Sequence, residues 1–238
     1  MKYNIYNLVV EVGRKCNMKC THCLRGEPED VTIDLNVFFK FLKDEKINYI
    51  NSITFTGGEP TLYAKEIVSI IDFIMQNDIE IHGFYIASNG LIVDLELMMK
   101  LVQFRAYISS KYGLDDEDYI CRYDISDDHF HDGIHQYNLD ILKGFSFVHM
   151  RGDINESYLI DQGRASLYYT ASRTVENTFY ASICGNYTEI ETVYFNAKGQ
   201  ILWNCDLSYE TQEFCEPLSI SDFSFEEIVE HEMVNVQE

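Results

Sequence analysis

The chain is short of positive charge. Its 238 residues hold 18 Lys and Arg against 39 Asp and Glu, a formal net charge of −21. Binding a nucleic-acid backbone needs clustered Lys and Arg, so nucleic acid is excluded as a partner class. The deficit deepens toward the C-terminus. After Lys198 no Lys or Arg occurs, while Asp206, Glu210, Glu213, Glu216, Asp222, Glu226, Glu227, Glu230, Glu232 and Glu238 follow. Such a run reads first as solvated surface and second as a docking face for a cationic peptide or partner. Proline is scarce: only 3 occur, none in a linker-like stretch, and no repeat or low-complexity segment divides the chain. No run of 18 apolar residues occurs, so no membrane span is expected. The segment Met1–Asn7 lacks the apolar core and cleavage site of a signal peptide. A cytoplasmic protein is the expectation. Thiols stay reduced there, so the 7 cysteines read as ligands or core residues and not as disulfides.

What is present is a chain with 46% hydrophobic and 24% charged residues, ordinary for a globular protein and enough for one large domain with a core. Strand and helix signals alternate. Residues 5–13 read as a strand, Thr32 as the cap of a helix over about 33–47, and 52–56 as a strand. Then comes Gly57-Gly58-Glu59-Pro60-Thr61. Tyr63, Ala64, Ile67, Val68, Ile71, Ile74 and Met75 follow a helical rhythm. Strands are expected over 83–88, 119–125 and 145–150, with helices from the Asp94 cap to about Arg105 and over 134–143. Alternation of this kind implies parallel βαβ units with right-handed crossovers, whose function gathers at the C-terminal strand ends. After about residue 152 the rhythm changes, and a hairpin is expected around Ala197-Lys198-Gly199-Gln200. Residues 1–152 thus form the core unit. Residues 153–238 complete it and add a C-terminal extension that is not an independent domain.

The loop after the first strand carries Cys16-Asn17-Met18-Lys19-Cys20-Thr21-His22-Cys23, spaced C-x-x-x-C-x-x-C. A [4Fe–4S] cluster normally takes four Cys ligands. Three thiolates from one loop suggest a cluster with one iron left open for another molecule. Zinc is the alternative, with His22 as the fourth ligand. Adjacent His22 and Cys23 can hardly both reach one tetrahedral centre, however, and a partner C-x-x-C pair is missing.

The cysteine loop, Gly57-Gly58-Glu59-Pro60 after the next strand and the alternating βα pattern over residues 5–150 together resemble the radical S-adenosylmethionine (radical SAM) superfamily. The resemblance implies a partial (β/α)6 TIM-type barrel with a short C-terminal extension containing a β-hairpin. It implies that Cys16, Cys20 and Cys23 ligate three irons of a [4Fe–4S] cluster and that the methionine part of SAM chelates the fourth. Gly57, Gly58, Glu59 and Pro60 are then the segment against the SAM amino group, Ser88 and Asn89 the ribose side, and His22 the neighbour of the adenine. The implied activity is reductive cleavage of SAM to a 5′-deoxyadenosyl radical that takes a hydrogen atom from a substrate. The reductant would be a flavodoxin or ferredoxin.

At the fourth strand end, Ser126-Asp127-Asp128-His129-Phe130-His131 resembles a Ser-x-Asp-x-Phe-His segment of some radical SAM subfamilies. The likeness implies a SAM contact at Ser126 and makes Asp127, Asp128, His129 or His131 candidates to bind SAM or orient substrate, with Asp127 taken as the catalytic group, against the plain reading of a capping loop. In the fifth strand Phe147, His149 and Arg151 share a face. His149 and Arg151 are expected to point inward, and Arg151 suits a carboxylate of SAM or substrate by a bidentate contact. By the same alternation Arg122, Asp124 and Ser126 share a face. Cys184, Gly199 and Cys205 resemble the opening of the auxiliary-cluster extension (SPASM or twitch type) of peptide-modifying members. Here, though, Gly199 and Cys205 stand one residue further apart than usual. A second Fe–S cluster would use Cys184, Cys205 and Cys215, with a fourth ligand from elsewhere, such as Cys121. These features, with Gly163-Arg164-Ala165 and the acidic tail, point to a peptide substrate of RiPP-type maturation. No leader-binding domain is evident, since only 15 residues precede Cys16. The alternatives are a nucleotide or other small molecule, a glycyl-radical activase, and an iron–sulfur carrier that never cleaves SAM.

Overall fold

The computed structural model describes residues 1–113, 121–131, 133–153, 155–170 and 173–235. Its centre is one open sheet. Strands β1 (Lys2–Glu11), β2 (Ile47–Thr56), β3 (Phe84–Ser88), β4 (Cys121–Ser126) and β5 (Val148–Arg151) lie parallel, each beside the next. Strand β7 (Tyr187–Phe195) pairs parallel with β1 on its free side, β6 (Ala181–Cys184) flanks β7 antiparallel, and β8 (Ile201–Leu202) pairs with the end of β7. The order is β5-β4-β3-β2-β1-β7-β6. The expected partial barrel is present and not closed. Its sixth parallel strand is the first arm of the expected hairpin, added beside β1 and not beyond β5. Between β5 and β6 the described residues hold a short turn at Glu156–Tyr158 and one helical turn, α5 (Ala165–Tyr168), which is too short for a crossover helix.

Helices α1 (Leu35–Leu42), α2 (Ala64–Gln76), α3 (Leu95–Tyr112) and α4 (Gln136–Leu142) follow β1 to β4 in turn. Asp34, not Thr32, caps α1: its side chain accepts the Asn36 N–H at 2.8 Å. That helix ends at Leu42, earlier than its spacing predicts, because β2 begins at Ile47 and pairs with β1 along most of its length. The ladder hydrogen bonds to a central strand outweigh local helix preference. Asp94 caps α3 as expected, accepting the Leu97 N–H. Of the strand expected over 119–125, residues 119 and 120 lie outside the described residues. Further on, α6 (Tyr209–Phe214) and α7 (Phe225–Asn235) close the chain.

One face of the sheet is apolar and covered. Leu8, Val10, Ile53, Phe55, Phe84, Ile86, Tyr123, Ile125, Val193 and Phe195 are buried there in a single cluster with the helices. The opposite face is polar: Asn7, Thr54, Tyr85, Asp124, Arg151 and Thr192 line an open trough. A parallel strand covered on both faces reads as a continuous apolar run. The alternation here marks a face left free for a ligand. Among the described residues no helix is long and apolar enough to cross a membrane. Phe195 joins the β1–β7 pair to α1 through ring contacts to Phe38 and Phe41, with centroids 4.8 and 5.5 Å away. Truncation by Phe195→Ala should cost about 3–5 kcal/mol in chemical denaturation.

Candidate active site and cofactor cavity

The site forms where two backbones meet at the C-terminal ends of β1 and β2. The Gly58 N–H donates to the Gly13 carbonyl at 3.0 Å, and the Glu59 N–H to the Lys15 carbonyl at 2.9 Å. A Cβ on Gly57, whose φ is +147°, would lie 2.1 Å from the Gly13 oxygen, and one on Gly58 would lie 2.2 Å from the Lys15 oxygen. No side chain fits either place, so the glycines set the approach of residues 57–59 to the segment entering Cys16. Glu59 locks the arrangement from a buried position. One carboxylate oxygen accepts the Thr61 N–H, the Thr61 hydroxyl and the Ser88 hydroxyl, and the other accepts the Asn89 N–H. Asn89 in turn donates to Asn17 inside the cysteine loop at 2.7 Å. The ends of β1, β2 and β3 are thereby tied to one another before any ligand arrives.

Above these ends lies a cavity of about 350 Å³, lined by Cys16, Cys20, Cys23, His22, Gly57, Gly58, Glu59, Ser88, Asn89, Ser126, Arg151 and Arg164, among others. The three thiols are half-buried and free of disulfides. Burial pushes the Cys16 thiol up, and burial with the neighbouring Cys23 and Cys16 pushes Cys20 up to about 11. Iron must displace those protons on binding, as thiolate metal sites require. His22 stacks on Phe130 with centroids 4.5 Å apart and meets His131 edge-on at 4.9 Å. Burial, then His131, lowers its pKa to about 4, so the ring is neutral, and its buried Nδ1 has no hydrogen-bond partner among the described residues. The donor set and the cradle fit a [4Fe–4S] cluster with SAM. Three thiols project from one loop, backbone approaches through two glycines, and a neutral aromatic ring carries an unused polar atom.

The structure brings most of the nominated residues to this cavity, but not all. Ser126 and Arg151 are partners in register on β4 and β5, and both line it. Ser88 and Glu59 face it with their polar atoms already committed to each other. Asp127 is exposed and lines neither this cavity nor the trough. The inward acid of that loop is its neighbour Asp128, which is buried and accepts from the His131 Nδ1 at 2.6 Å. Asp128, His131 and His22 bring one ligand-type atom each within 4.8 Å of one another. His149 is exposed opposite Asp124 and also lines neither space. The cysteines nominated for a second cluster are parted. Cys184 pairs with Tyr187, which lies beside Lys2 at the start of β1, whereas Cys205 lines the cavity beyond the end of β1. The length of a 10-residue strand, about 30 Å, separates those levels. Cys121 begins β4 beside Phe84, at the level of Leu8 and three strands away from β1, so it adjoins neither Cys184 nor Cys205. Only Cys205 and Cys215 pack against a common patch, with Val9, Tyr194, Leu202 and Leu207.

Sequence reasoning missed the buried polar network that holds the extension under the cysteine loop. Glu11 and Arg14, both fully buried, pair at 2.6 Å. Arg14 also reaches Glu29 at 2.9 Å and Gln212 at 2.7 Å, and Glu11 accepts from the Tyr194 hydroxyl and from the Ala197 N–H. Burial and the Glu11 carboxylate raise the Tyr194 hydroxyl pKa well above its ordinary value. A Glu and an Arg three residues apart in a strand-to-loop segment carry no sequence signal of a partner almost 200 positions away. The clash distances give a direct check. Gly58→Ala should leave the chain folded by circular dichroism but cut the iron retained after anaerobic reconstitution severalfold. Wild-type iron content in that variant would show that the two backbones do not need their contact.

A family model for the Radical SAM superfamily matches residues 10–136, just over half of the chain. A tungsten-containing aldehyde ferredoxin oxidoreductase cofactor-modifying protein of Pyrococcus furiosus is 30% identical over 109 residues, covering 43% of this chain and 28% of that protein. The chain therefore matches little more than a quarter of that relative's length. Among solved structures, anSMEcpe with bound AdoMet and Cp18Cys peptide superposes with a TM-score of 0.56 at 11% identity, covering 94% of this chain and 80% of the other. Streptococcus suis SuiB bound to its precursor peptide SuiA gives a TM-score of 0.45 at 13% identity over 87% and 60% of the two chains. With the family match lying over the end of β1, the cysteine loop, the glycine cradle and strands β2 to β4, the chain belongs to the radical SAM superfamily and is an enzyme.

Proposed function

We propose that the chain holds one [4Fe–4S] cluster on Cys16, Cys20 and Cys23 and acts on a peptide laid along the polar face of the sheet. Held there, such a cluster would supply the electron for reductive cleavage of SAM to methionine and a 5′-deoxyadenosyl radical, the agent that would take a hydrogen atom from substrate. The protein's share is positioning and exclusion of water. Backbone at Gly57 to Pro60 would take the SAM amino group, leaving the Glu59 carboxylate to hold the loop. Ser126 and Arg151 would take the SAM carboxylate. Arg151 suits this because no carboxylate pairs with it among the described residues and a guanidinium binds a carboxylate bidentately. His22, backed by Phe130, would stand against the adenine. The reductant would be a small flavodoxin- or ferredoxin-type protein.

The observation that carries the peptide reading is the trough. It has a volume of about 530 Å³ and runs from Tyr6, Asn7, Asn51 and Glu191 to Thr54, Tyr85 and Arg151, the last three of which also line the cofactor cavity. A substrate there would reach the radical from an open, hydrogen-bonding groove, which suits a chain with amide groups along its length. The peptide-bound state of the superposable anSMEcpe structure supports the same reading. A nucleoside triphosphate fits less well. Arg122 is bound to Asp124 at 2.5 Å, which leaves Arg151 as the cation facing the junction. The distance between Cys184 and Cys205 supports a single cluster.

Reconstitution under argon should give about 4 irons per chain, and reduction with SAM should release 5′-deoxyadenosine, faster when the peptide substrate is present. Absence of 5′-deoxyadenosine from iron-loaded protein would sink the activity, and about 8 irons per chain would sink the single-cluster reading. Arg151→Ala should weaken SAM binding roughly 10- to 100-fold, the scale of a lost charge-assisted pair. Unchanged affinity by calorimetry would remove Arg151 from the SAM site.

A further inference from the structure

We propose that Gly163-Arg164-Ala165, which lies outside the residues 10–136 that the family model matches, is a clamp on the cysteine loop that brings an uncompensated positive charge to the cluster. The inference rests on the assignment of the cluster to Cys16, Cys20 and Cys23, which the iron content of wild-type protein tests separately.

Each residue of the tripeptide has its own fit. Gly163 has a φ of +56°, and a Cβ there would lie 2.3 Å from the Leu24 carbonyl oxygen and 2.6 Å from the Gly26 nitrogen. The left-handed backbone and the lack of space together demand glycine. The backbone N–H groups of Arg164 and Ala165 both donate to the carbonyl of Cys23, at 2.9 and 3.4 Å. The Arg164 side chain then turns back along the loop. Its Nε donates to the carbonyl of Cys20 at 2.9 Å and its Nη1 to that of Gly26 at 2.6 Å. Ala165 is fully buried behind it. Two of the three cluster cysteines are thus held by their carbonyls from one short segment.

The charge is the second observation. Arg164 is only 7% exposed, and its one carboxylate partner among the described residues, Glu27 at 3.2 Å, is 70% exposed. A solvated carboxylate screens a buried guanidinium weakly. Arg14, the other buried arginine at this loop, differs: it pairs with fully buried Glu11 as well as with Glu29. Arg164 lines the cofactor cavity together with Cys16, Cys20 and Cys23. A cluster on three thiolates is anionic and becomes more so on reduction, so it is the missing counter-charge. A desolvated cation beside a cluster stabilises its reduced state and raises its potential.

The test uses the full chain, reconstituted anaerobically without SAM, and reads the cluster's midpoint potential by spectroelectrochemistry. Arg164→Lys keeps the charge, while Arg164→Gln and Arg164→Met remove it. Iron content and apo-protein melting are read alongside. The clamp predicts a lower midpoint in either neutral variant and a midpoint near wild type for Arg164→Lys. A neutral variant that melts like wild-type apo-protein but retains no cluster also supports it. Equal midpoints for wild type and a neutral variant at full iron content overturn it. So does loss of folding in both neutral apo-proteins, since an empty loop has no anion to balance.

Discussion

Two stretches of backbone in contact decide this molecule's layout: residues 57–59 lie against residues 13–15 with no room for a Cβ at Gly57 or Gly58. That contact fixes the entry of the cysteine loop relative to the end of β2, and the Glu59 carboxylate extends the tie to Ser88 and Asn89 at the end of β3. Three successive strand ends are therefore pre-organised around one space. Such a site binds its cofactor without first ordering its walls, which is how a scaffold lowers the cost of binding.

A second layer of buried polar groups holds the far side of the loop. Glu11 and Arg14 draw in Tyr194, Ala197 and Gln212 from the C-terminal extension, while Arg164 comes from the segment between the barrel and that extension. Buried ion pairs contribute little net stability once desolvation is counted, but breaking one strands a charge in the interior. Their value here is geometric. The extension is sewn to the cluster loop by specific partners, which explains why β7 lies beside β1 and not beyond β5. The extension is thus part of the active-site wall, contributing Cys205 and Asp206 to the cavity lining.

Much of this was legible in the sequence, for physical reasons that differ by element. The cysteine spacing and the Gly57-Gly58 pair speak directly, because thiolate ligands and missing side chains leave few other uses. The helices after β2 and β3 announce themselves by period and by Asp94. Strand alternation placed Arg122, Asp124 and Ser126 on one face and His149 with Arg151, as found, yet it also put Phe147 with them, whereas Phe147 precedes β5 and is buried against Phe84 in the core; nor could it say how far toward the cavity His149 reaches. Asp127 and Asp128 are adjacent acids in a loop, where no periodicity tells which turns inward. Cys184 and Cys205 looked like a pair by spacing alone, and the strand between them carries them to opposite ends of the sheet. The roles of Glu11, Arg14 and Arg164 depend on contacts across 138 to 201 positions, which no local pattern encodes.

The central claim is that three cysteines leave one iron open and that the strand ends present SAM to it. The most direct measurement is the EPR spectrum of the reduced, reconstituted protein with and without SAM, before any substrate is added. Direct coordination of SAM at the open iron predicts a changed signal on SAM addition, and Cys16→Ala, Cys20→Ala or Cys23→Ala should abolish the signal altogether. A reduced cluster whose spectrum is the same with saturating SAM as without it would contradict the account.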